Sequence, residues 1–213
     1  MITLLKAIIS KVLITFSIKK RGYNNSLKCV SRHVIKSKFI FIGNNNIIEI
    51  DKNCRLSNTK IYINGNHNKV YIHSDVAMSN GDIWIEDNNN CIDIGENCTF
   101  TSRFHLACME GTNIHVGKKC LFAADIIIRT GDSHSILDLN TGKRTNLAQN
   151  IEIGNHVWIG NRVTLNKGSS IPNDSIIASN SVVTKQFVDN NIIIGGVPAK
   201  IIKHGTTWKG DRI

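Results

Sequence analysis

A polar stretch between two repetitive parts of the chain contains residue types that can move protons and bind anions. Residues 129–150 read RTGDSHSILDLNTGKRTNLAQN and include Asp132, His134, Asp138, Lys143 and Arg144. A histidine can act as a general base near neutral pH, because its ordinary pKa is about 6.5. His134 is one of eight histidines, so its residue type alone does not separate a catalytic group from a solvated one.

The sequence on the C-terminal side of this stretch repeats every six residues. The large apolar positions are Ile153, Ile159, Leu165, Ile171, Ile177 and Val183. Four residues after each of the first five stand Val157, Val163, Ser169, Ser175 and Ser181. A period of six fits neither an α-helix nor a flat strand. The repeat therefore predicts short strands, each followed by a corner in the chain.

The sequence on the N-terminal side repeats every 22 residues, as in the columns Cys54, Val76, Cys98, Cys120 and Asn46, Asn68, Asn90. A coil of three hexads would be about four residues shorter than this period. We therefore expect one corner of each coil to contain these extra residues. Asparagine and glycine suit corners that need a left-handed backbone. We interpret the cysteine column as buried packing rather than redox chemistry. The two registers together predict a coiled parallel sheet with an excursion over about residues 130–150.

The net charge of +10 favours an acidic partner such as nucleic acid, anionic lipid, a phosphorylated cofactor or an acidic glycan. Nucleic acid is disfavoured, because no basic motif with interleaved aromatic residues is present. The six cysteines form no CxxC pair, which argues against zinc and thioredoxin chemistry.

The N-terminal segment, residues 1–22, is predicted to be an amphipathic helix, because Lys6 and Lys11 interrupt its apolar residues. It lacks the cleavage pattern of a signal peptide. The helix is expected either to pack on the body of the protein or to lie on a membrane surface through residues 1–21. The remaining residues, 23–213, are predicted to form one domain. A cytoplasmic protein follows, either free or at the inner face of the membrane.

Three segments resemble the hexapeptide-repeat acetyltransferases, a group that includes galactoside, maltose, xenobiotic and capsular-polysaccharide O-acetyltransferases. They are GDSHSI at residues 131–136, the repeat at residues 153–185, and GGVPAKIIK at residues 195–203. The asparagine-rich coils and the 24-residue gap from His134 to Trp158 resemble the bacterial capsule sialic acid O-acetyltransferases. The resemblance implies an all-β, left-handed parallel β-helix with a short helical tail at about residues 195–213.

The resemblance also implies the chemistry. It assigns His134 as the general base for transfer of an acetyl group from acetyl-CoA to a saccharide hydroxyl, without a metal. Asp132 could hold the imidazole, although a backbone carbonyl would serve equally well. Trp158 would lie beside the catalytic centre and acetyl-CoA, or else pack at a subunit boundary. The family is typically a homotrimer with its active site between subunits.

Matching the family segments residue by residue gives the expected coenzyme site. The groove residues are Asn161, Ser179, Thr184 and Lys185, and the residues at the CoA phosphates are Lys200 and Lys203. Lysine would act there as a point charge, whereas the alternative is that these two lysines line a solvated helix face. His156 is the second candidate for the base, but it lies in a hexad turn and is expected to be exposed.

Other functions are less consistent with these segments. A γ-class carbonic anhydrase could use His105, His115 and His134 as zinc ligands. It would not need the segment at residues 195–203, which resembles the CoA-binding tail of the acetyltransferases. A non-enzymatic β-solenoid would not need the His134 loop. The serious alternative is an N-acetyltransferase of an amino sugar nucleotide. The basic charge and the resemblance to the capsule enzymes together favour an acidic surface glycan as the acceptor, of the sialic-acid-containing kind.

Overall fold

The computed structural model describes residues 15–211, which form a parallel β-helix. Residues 1–14 of the predicted N-terminal helix lie outside the described residues. The helix prediction is wrong for residues 15–21, which form strand β1 and pair with β3. The β-branched Thr15 and Ile18 and the aromatic Phe16 favour this extended conformation. Within residues 15–211, no helix is long and apolar enough to cross a membrane.

Nineteen strands build the described chain. They are β1 (Thr15–Arg21), β2 (Ser26–Cys29), β3 (His33–Ile42), β4 (Ile47–Ile50), β5 (Arg55–Asn64), β6 (Lys69–Ile72), β7 (Ala77–Glu86), β8 (Cys91–Ile94), β9 (Thr99–Cys108), β10 (Asn113–Val116), β11 (Leu121–Arg129), β12 (Ile151–Ile153), β13 (Trp158–Ile159), β14 (Thr164–Leu165), β15 (Ser170–Ile171), β16 (Ile176–Ile177), β17 (Val182–Val183), β18 (Ile192–Gly196) and β19 (Ala199–His204). The odd-numbered strands from β1 to β11 stack in one sheet, and the even-numbered strands from β2 to β12 stack in another.

The strand registers confirm both predicted periods. Arg55 pairs with Ala77, 22 residues later, whereas Trp158 pairs with Ile176, 18 residues later. Each coil therefore places equivalent side chains directly above one another. All eleven residues of the two predicted hexad columns are at most 1% exposed, so these columns form the core of the C-terminal coils.

The corners of the coil are formed by three columns of residues whose backbone has a positive φ, the left-handed conformation. Corner 1 holds Asn53, Asp75, Asn97, Lys119, His156, Asp174 and Asn191. Corner 2 holds Lys36, Asn58, Asn80, Arg103, Asp125, Arg162 and Asn180. Corner 3 holds Asn45, His67, Asn89, Gly111 and Gly168. Asparagine and aspartate tolerate a positive φ better than other non-glycine residues, which explains why they recur at these positions.

The asparagine column forms a hydrogen-bonded ladder inside corner 3. The backbone N–H of Asn68 donates to Oδ1 of Asn46 at 2.9 Å, and the N–H of Asn90 donates to Oδ1 of Asn68 at 2.9 Å. The Asn68 amide also donates to the carbonyl of Asp87 at 2.9 Å. All three side chains are buried, so each coil satisfies backbone groups of the next without water.

We expect Asn68→Ala to lower the free energy of unfolding by about 1–3 kcal/mol, since the N–H of Asn90 would be left buried and unpaired. Chemical denaturation of the variant and of Asn190→Ala measures the difference. Asn190 is exposed, and its replacement is expected to change stability by less than about 0.5 kcal/mol. Equal stabilities of the two variants would show that the ladder does not stabilise the coil.

The cysteine column is buried as predicted, with Cys54, Cys98 and Cys120 at most 1% exposed. Burial raises the pKa of the Cys54 thiol to about 11. The pKa of Cys98 is also raised, by its contact with the Cys120 thiol and by burial. The Cys54 and Cys98 thiols therefore stay protonated and behave as small apolar side chains.

The helical tail predicted for residues 195–213 is wrong for the described residues 195–211. Strands β18 and β19 form an antiparallel hairpin across this region, with Ile194 opposite Ile201. Gly196 has a φ of +105° in the turn, and Pro198 follows it. Glycine and proline both oppose helix formation at this point, while the adjacent isoleucines favour an extended chain.

Candidate active site

The polar excursion leaves the coil at corner 3. Strand β11 ends at Arg129, and β12 begins at Ile151. Corner 3 of the preceding coil includes Glu110, and corner 3 of the following coil includes Lys167. The excursion therefore lies between one acidic and one basic side chain of the rigid body.

The outer part of the excursion is a short hairpin. Leu137 and Arg144 form an isolated antiparallel bridge, and the Thr145 N–H donates to the Ile136 carbonyl at 2.8 Å. At the tip, the Asp138 carboxylate accepts hydrogen bonds from the N–H and hydroxyl of Thr141, both at 2.8 Å. These bonds hold the pKa of Asp138 below its usual value. The excursion is thus an internally bonded loop.

Asn146 connects the two sides of this loop. Its amide donates to Oδ2 of Asp132 and to the His134 carbonyl, both at 2.8 Å. Its Oδ1 accepts from the Ile136 N–H at 2.7 Å and from Nε of Arg144 at 3.1 Å. Asn146 is only 7% exposed. One buried amide therefore holds the Asp132 side chain and the backbone at His134 and Ile136.

Two ion pairs fasten the loop to the coils on either side. Lys167 Nζ lies 2.6 Å from Oδ2 of Asp132, and Arg144 Nη2 lies 2.6 Å from Oε1 of Glu110. Glu110 also accepts a hydrogen bond from the Ala148 N–H at 3.0 Å. Each pair joins a loop residue to a corner-3 residue, so the loop has a defined position relative to the body.

The hydrogen bond from Lys167, and to a smaller extent the one from Asn146, lowers the pKa of Asp132. Asp132 is consequently a weak base at neutral pH and an anchoring group for the loop. Among residues 15–211, no group hydrogen bonds to the His134 ring, and the His134 side chain is exposed. The predicted contact between Asp132 and that ring stays a prediction. The free imidazole is available to a substrate.

The excursion also exposes large aliphatic side chains. They are Ile136, Leu137, Leu139 and Leu147. A group of exposed apolar side chains on an otherwise polar loop is typical of a surface that another protein covers.

Trp158 lies on β13, between corners 1 and 2, and its side chain is 40% exposed. The ring of Trp208, from the C-terminal tail, lies 6.1 Å away, centroid to centroid. Trp208 stacks on His156 at 4.5 Å and donates a hydrogen bond to the His156 carbonyl at 2.8 Å. Nδ1 of His156 lies 2.9 Å from Oδ1 of Asp174. His156 was expected to be exposed, but it is half-buried and held by these contacts, unlike His134.

The residues predicted for the CoA groove lie at two corners. Asn161 and Ser179 are at corner 2, where the Asn161 N–H donates to the Ser179 hydroxyl at 3.1 Å. Thr184 and Lys185 follow β17 at corner 3, where Gln186 bridges to Ser170. A single chain therefore does not bring all four residues into one groove.

Lys200 and Lys203 are exposed on β19. Ile193 pairs with Lys203 and Ile194 with Ile201, so Ile202 is an extra residue in the strand. One extra residue interrupts the alternation of side chains. The bulge places Lys200 and Lys203 on the same face, although they are three residues apart.

Three residues of this region were not predicted from the sequence, namely Asn146, Lys167 and Trp208. Asn146 and Lys167 carry no motif. The partners of Asn146 lie within the excursion itself, whereas Lys167 pairs with Asp132, 35 residues away. Trp208 offered one signal, since it is one of three tryptophans and stands in a polar tail where packing alone does not require it.

Comparison with solved structures gives extensive similarities. A polysialic acid O-acetyltransferase, OatWY, superposes with a TM-score of 0.88 and 31% sequence identity over 93% of each chain. The polySia-specific acetyltransferase NeuO superposes with a TM-score of 0.82 and 34% identity over 92% of this chain and 89% of its own. The chain belongs to the hexapeptide-repeat acetyltransferase family. Its coil is therefore the left-handed β-helix of these acetyltransferases, as predicted.

A curated relative supports the same family. The polysialic acid O-acetyltransferase of Escherichia coli O1:K1 / APEC is 40% identical over 115 residues, or 54% of this chain. The match spans 37% of that relative's length. No family model matches the chain. Because the members of this family are acetyltransferases, acyl transfer is the reaction expected at this site.

Proposed function

We propose that this protein transfers an acetyl group from acetyl-CoA to a hydroxyl of an acidic bacterial surface polysaccharide. The main support is the match to the polysialic acid O-acetyltransferase structure over 93% of both chains. Polysialic acid carries one carboxylate per sugar residue, and the net charge of +10 suits a polyanionic acceptor. The anchored loop that presents a free His134 supplies the base that such a transfer needs.

His134 acts on the acceptor hydroxyl. The neutral imidazole removes the hydroxyl proton as the oxygen attacks the thioester carbonyl, and a tetrahedral oxyanion forms. Collapse of this intermediate breaks the carbon–sulfur bond, and the imidazolium returns the proton to the CoA sulfur. The products are an O-acetyl ester and free CoA. A thioester is already an activated acyl group, so the proposed transfer needs no metal ion.

Trp158 and the lysines serve the donor in this proposal. The exposed Trp158 face packs against the pantetheine arm, and its indole N–H can donate a hydrogen bond. Lys200 and Lys203 share one face of β19 and act as cations for the CoA phosphates. Asn161 and Ser179 at corner 2, with Thr184 and Lys185 at corner 3, would line one groove only where two copies of the chain meet.

We further propose a homotrimer in which this groove lies between neighbouring copies. The four groove residues lie at two corners of one chain, so a second copy would bring opposite corners together. The exposed aliphatic residues of the excursion would be covered by the same contact. A cytoplasmic location, with membrane contact through residues 1–21, remains a separate prediction.

We expect Lys200→Ala and Lys203→Ala each to raise the KM for acetyl-CoA by about 2- to 30-fold while kcat changes less. An ammonium–phosphate contact at a wet surface is partly screened, so the effect should shrink as salt is added. Steady-state kinetics at two ionic strengths measure both parameters. Lys143→Ala, at the exposed tip of the excursion, is the matched control. An unchanged KM in both tail variants would place the CoA phosphates elsewhere.

Acceptor profiling tests the proposed function. CoA release from acetyl-CoA is measured with sialic acid polymers, neutral polysaccharides and amino sugar nucleotides as acceptors. Release that requires the acidic polymer supports the proposal. Release that requires an amino sugar nucleotide would instead identify an N-acetyltransferase.

A further inference from the structure

One outer face of the coil carries an aromatic column that ends at a gap. In successive coils, Tyr62 pairs with Trp84, Trp84 with Ala107, and Ala107 with Arg129. The Tyr62 and Trp84 rings stack with centroids 4.1 Å apart. Ala107 has no side chain large enough to continue this stack. A notch therefore lies between the Trp84 ring and the Arg129 side chain, with Ala107 as its floor.

This notch is part of an open groove of about 540 Å³. Its lining includes Lys60, Trp84, His105, Met109, Arg129 and Ser133. Lys60 Nζ lies 4.6 Å from the centre of the Trp84 ring. Ser133 directly precedes His134 in the sequence, so the groove reaches the loop that carries the proposed base.

Arg129 has an unused hydrogen-bond donor in this groove. Its Nη2 donates to the Ser133 hydroxyl at 2.8 Å. Its Nε is buried and has no partner in the described part of the chain. Buried donors in native proteins nearly always have an acceptor. A guanidinium in this state fits a carboxylate, which can accept hydrogen bonds from the Arg fork.

The charges of the groove favour a monoanion over a phosphate. Lys60 and Arg129 are cationic, but Asp82 and Glu86 also line the groove. His105 Nδ1 lies 2.8 Å from Oδ2 of Asp82. Two nearby carboxylates would repel a diphosphate, whereas they can accept hydrogen bonds from sugar hydroxyls. Trp84 is half-buried, and the face of its ring that Tyr62 does not cover suits the apolar side of a sugar ring.

We propose that this groove is the acceptor subsite for a carboxylated sugar residue, with the carboxylate on Arg129 and the sugar against Trp84. This inference rests on the proposed function and adds the residues that would recognise the acidic sugar of its acceptor. Lys60 adds a second cation for the same anion or for the next residue along the chain. The bound sugar lies against Ser133, which places its hydroxyls beside His134.

Arg129→Gln and Trp84→Ala test the subsite. Each is expected to raise the KM for a sialic acid polymer at least tenfold, while the KM for acetyl-CoA stays within twofold. Arg103→Gln is the matched control, because it removes the same charge from an exposed arginine that pairs with Asp125 at corner 2. Arg129→Lys keeps the charge without the fork and should be intermediate. Thermal melts confirm folding, since Arg129 also contacts the excursion.

Direct binding separates the subsite from the function. A short sialic acid oligomer is titrated into wild type and Arg129→Gln without acetyl-CoA, and the carboxyl-reduced oligomer is the ligand control. The subsite predicts that wild type binds the carboxyl-reduced oligomer at least tenfold more weakly than the natural one. Arg129→Gln should bind the two oligomers with nearly equal affinity. Wild type that binds both oligomers equally, or binds neither, overturns the subsite. If Arg129→Gln acetylates the polymer with the KM of wild type, the subsite is overturned and the proposed function stands. Oligomer binding that needs Arg129, without any acetyl transfer, overturns the function alone.

Discussion

His134→Ala lowers turnover by roughly a hundredfold to ten-thousandfold, which is the usual contribution of a positioned general base. The His134 ring is exposed, and within residues 15–211 it makes no hydrogen bond, so its removal costs little stability. The coil residues proposed for CoA are unchanged, and the KM for acetyl-CoA should therefore stay close to that of wild type. Steady-state kinetics with acetyl-CoA and acceptor, together with thermal melts, measure these quantities.

The pH dependence and a second histidine provide the controls for this prediction. Wild-type turnover should rise with pH, because a general base works only when it is unprotonated. The His134→Ala profile should lack this rise. His156→Ala should keep the rise and most of the activity, since His156 is held by Asp174 and Trp208. A His134→Ala variant with more than about a tenth of wild-type turnover would contradict the mechanism.

Asn146→Ala is expected to lower kcat by about 10- to 100-fold, because a small displacement of a catalytic group carries a cost of this size. The substitution removes the donor to the His134 carbonyl and the acceptor for the Ile136 N–H. His134 itself remains, so the rise of turnover with pH should persist at the lower rate. This persistence distinguishes a positioning residue from the base.

Asn140→Ala serves as the control for Asn146, because Asn140 lies at the exposed tip of the same hairpin. Its turnover should stay within about twofold of wild type. Asn146→Asp retains an acceptor for the Ile136 N–H but places a second carboxylate beside Asp132, so it should not rescue turnover. Full activity of Asn146→Ala would show that the loop positions His134 without this amide.

The coil could be predicted from sequence because its pattern is local and repeated. Each hexad position in the C-terminal coils has the same environment, so Ile159 and Ser175 share their burial with the other members of their columns. The 22-residue columns gave the register of the N-terminal coils in the same way. The excursion was visible as the one interruption of both periods.

The ends of the chain and the loop anchors followed no repeat. Residues 15–21 and the tail were predicted to be helical from composition and resemblance, whereas pairing with β3 and the Gly196–Pro198 turn make them strands. Pairs such as Asp132 with Lys167, and His156 with Trp208, join residues 35 and 52 positions apart. No period relates such partners, so only the folded coil brings them together.

The linkage of the transferred acetyl group tests the central claim most directly. Wild type is incubated with acetyl-labelled acetyl-CoA and a sialic acid polymer, and the purified polymer is then treated with mild alkali. We predict that the polymer becomes labelled, that alkali releases the label as acetate because the bond is an ester, and that His134→Ala leaves the polymer nearly unlabelled. A polymer that stays unlabelled, or a label that resists alkali as an amide does, would contradict acetyl transfer to a hydroxyl.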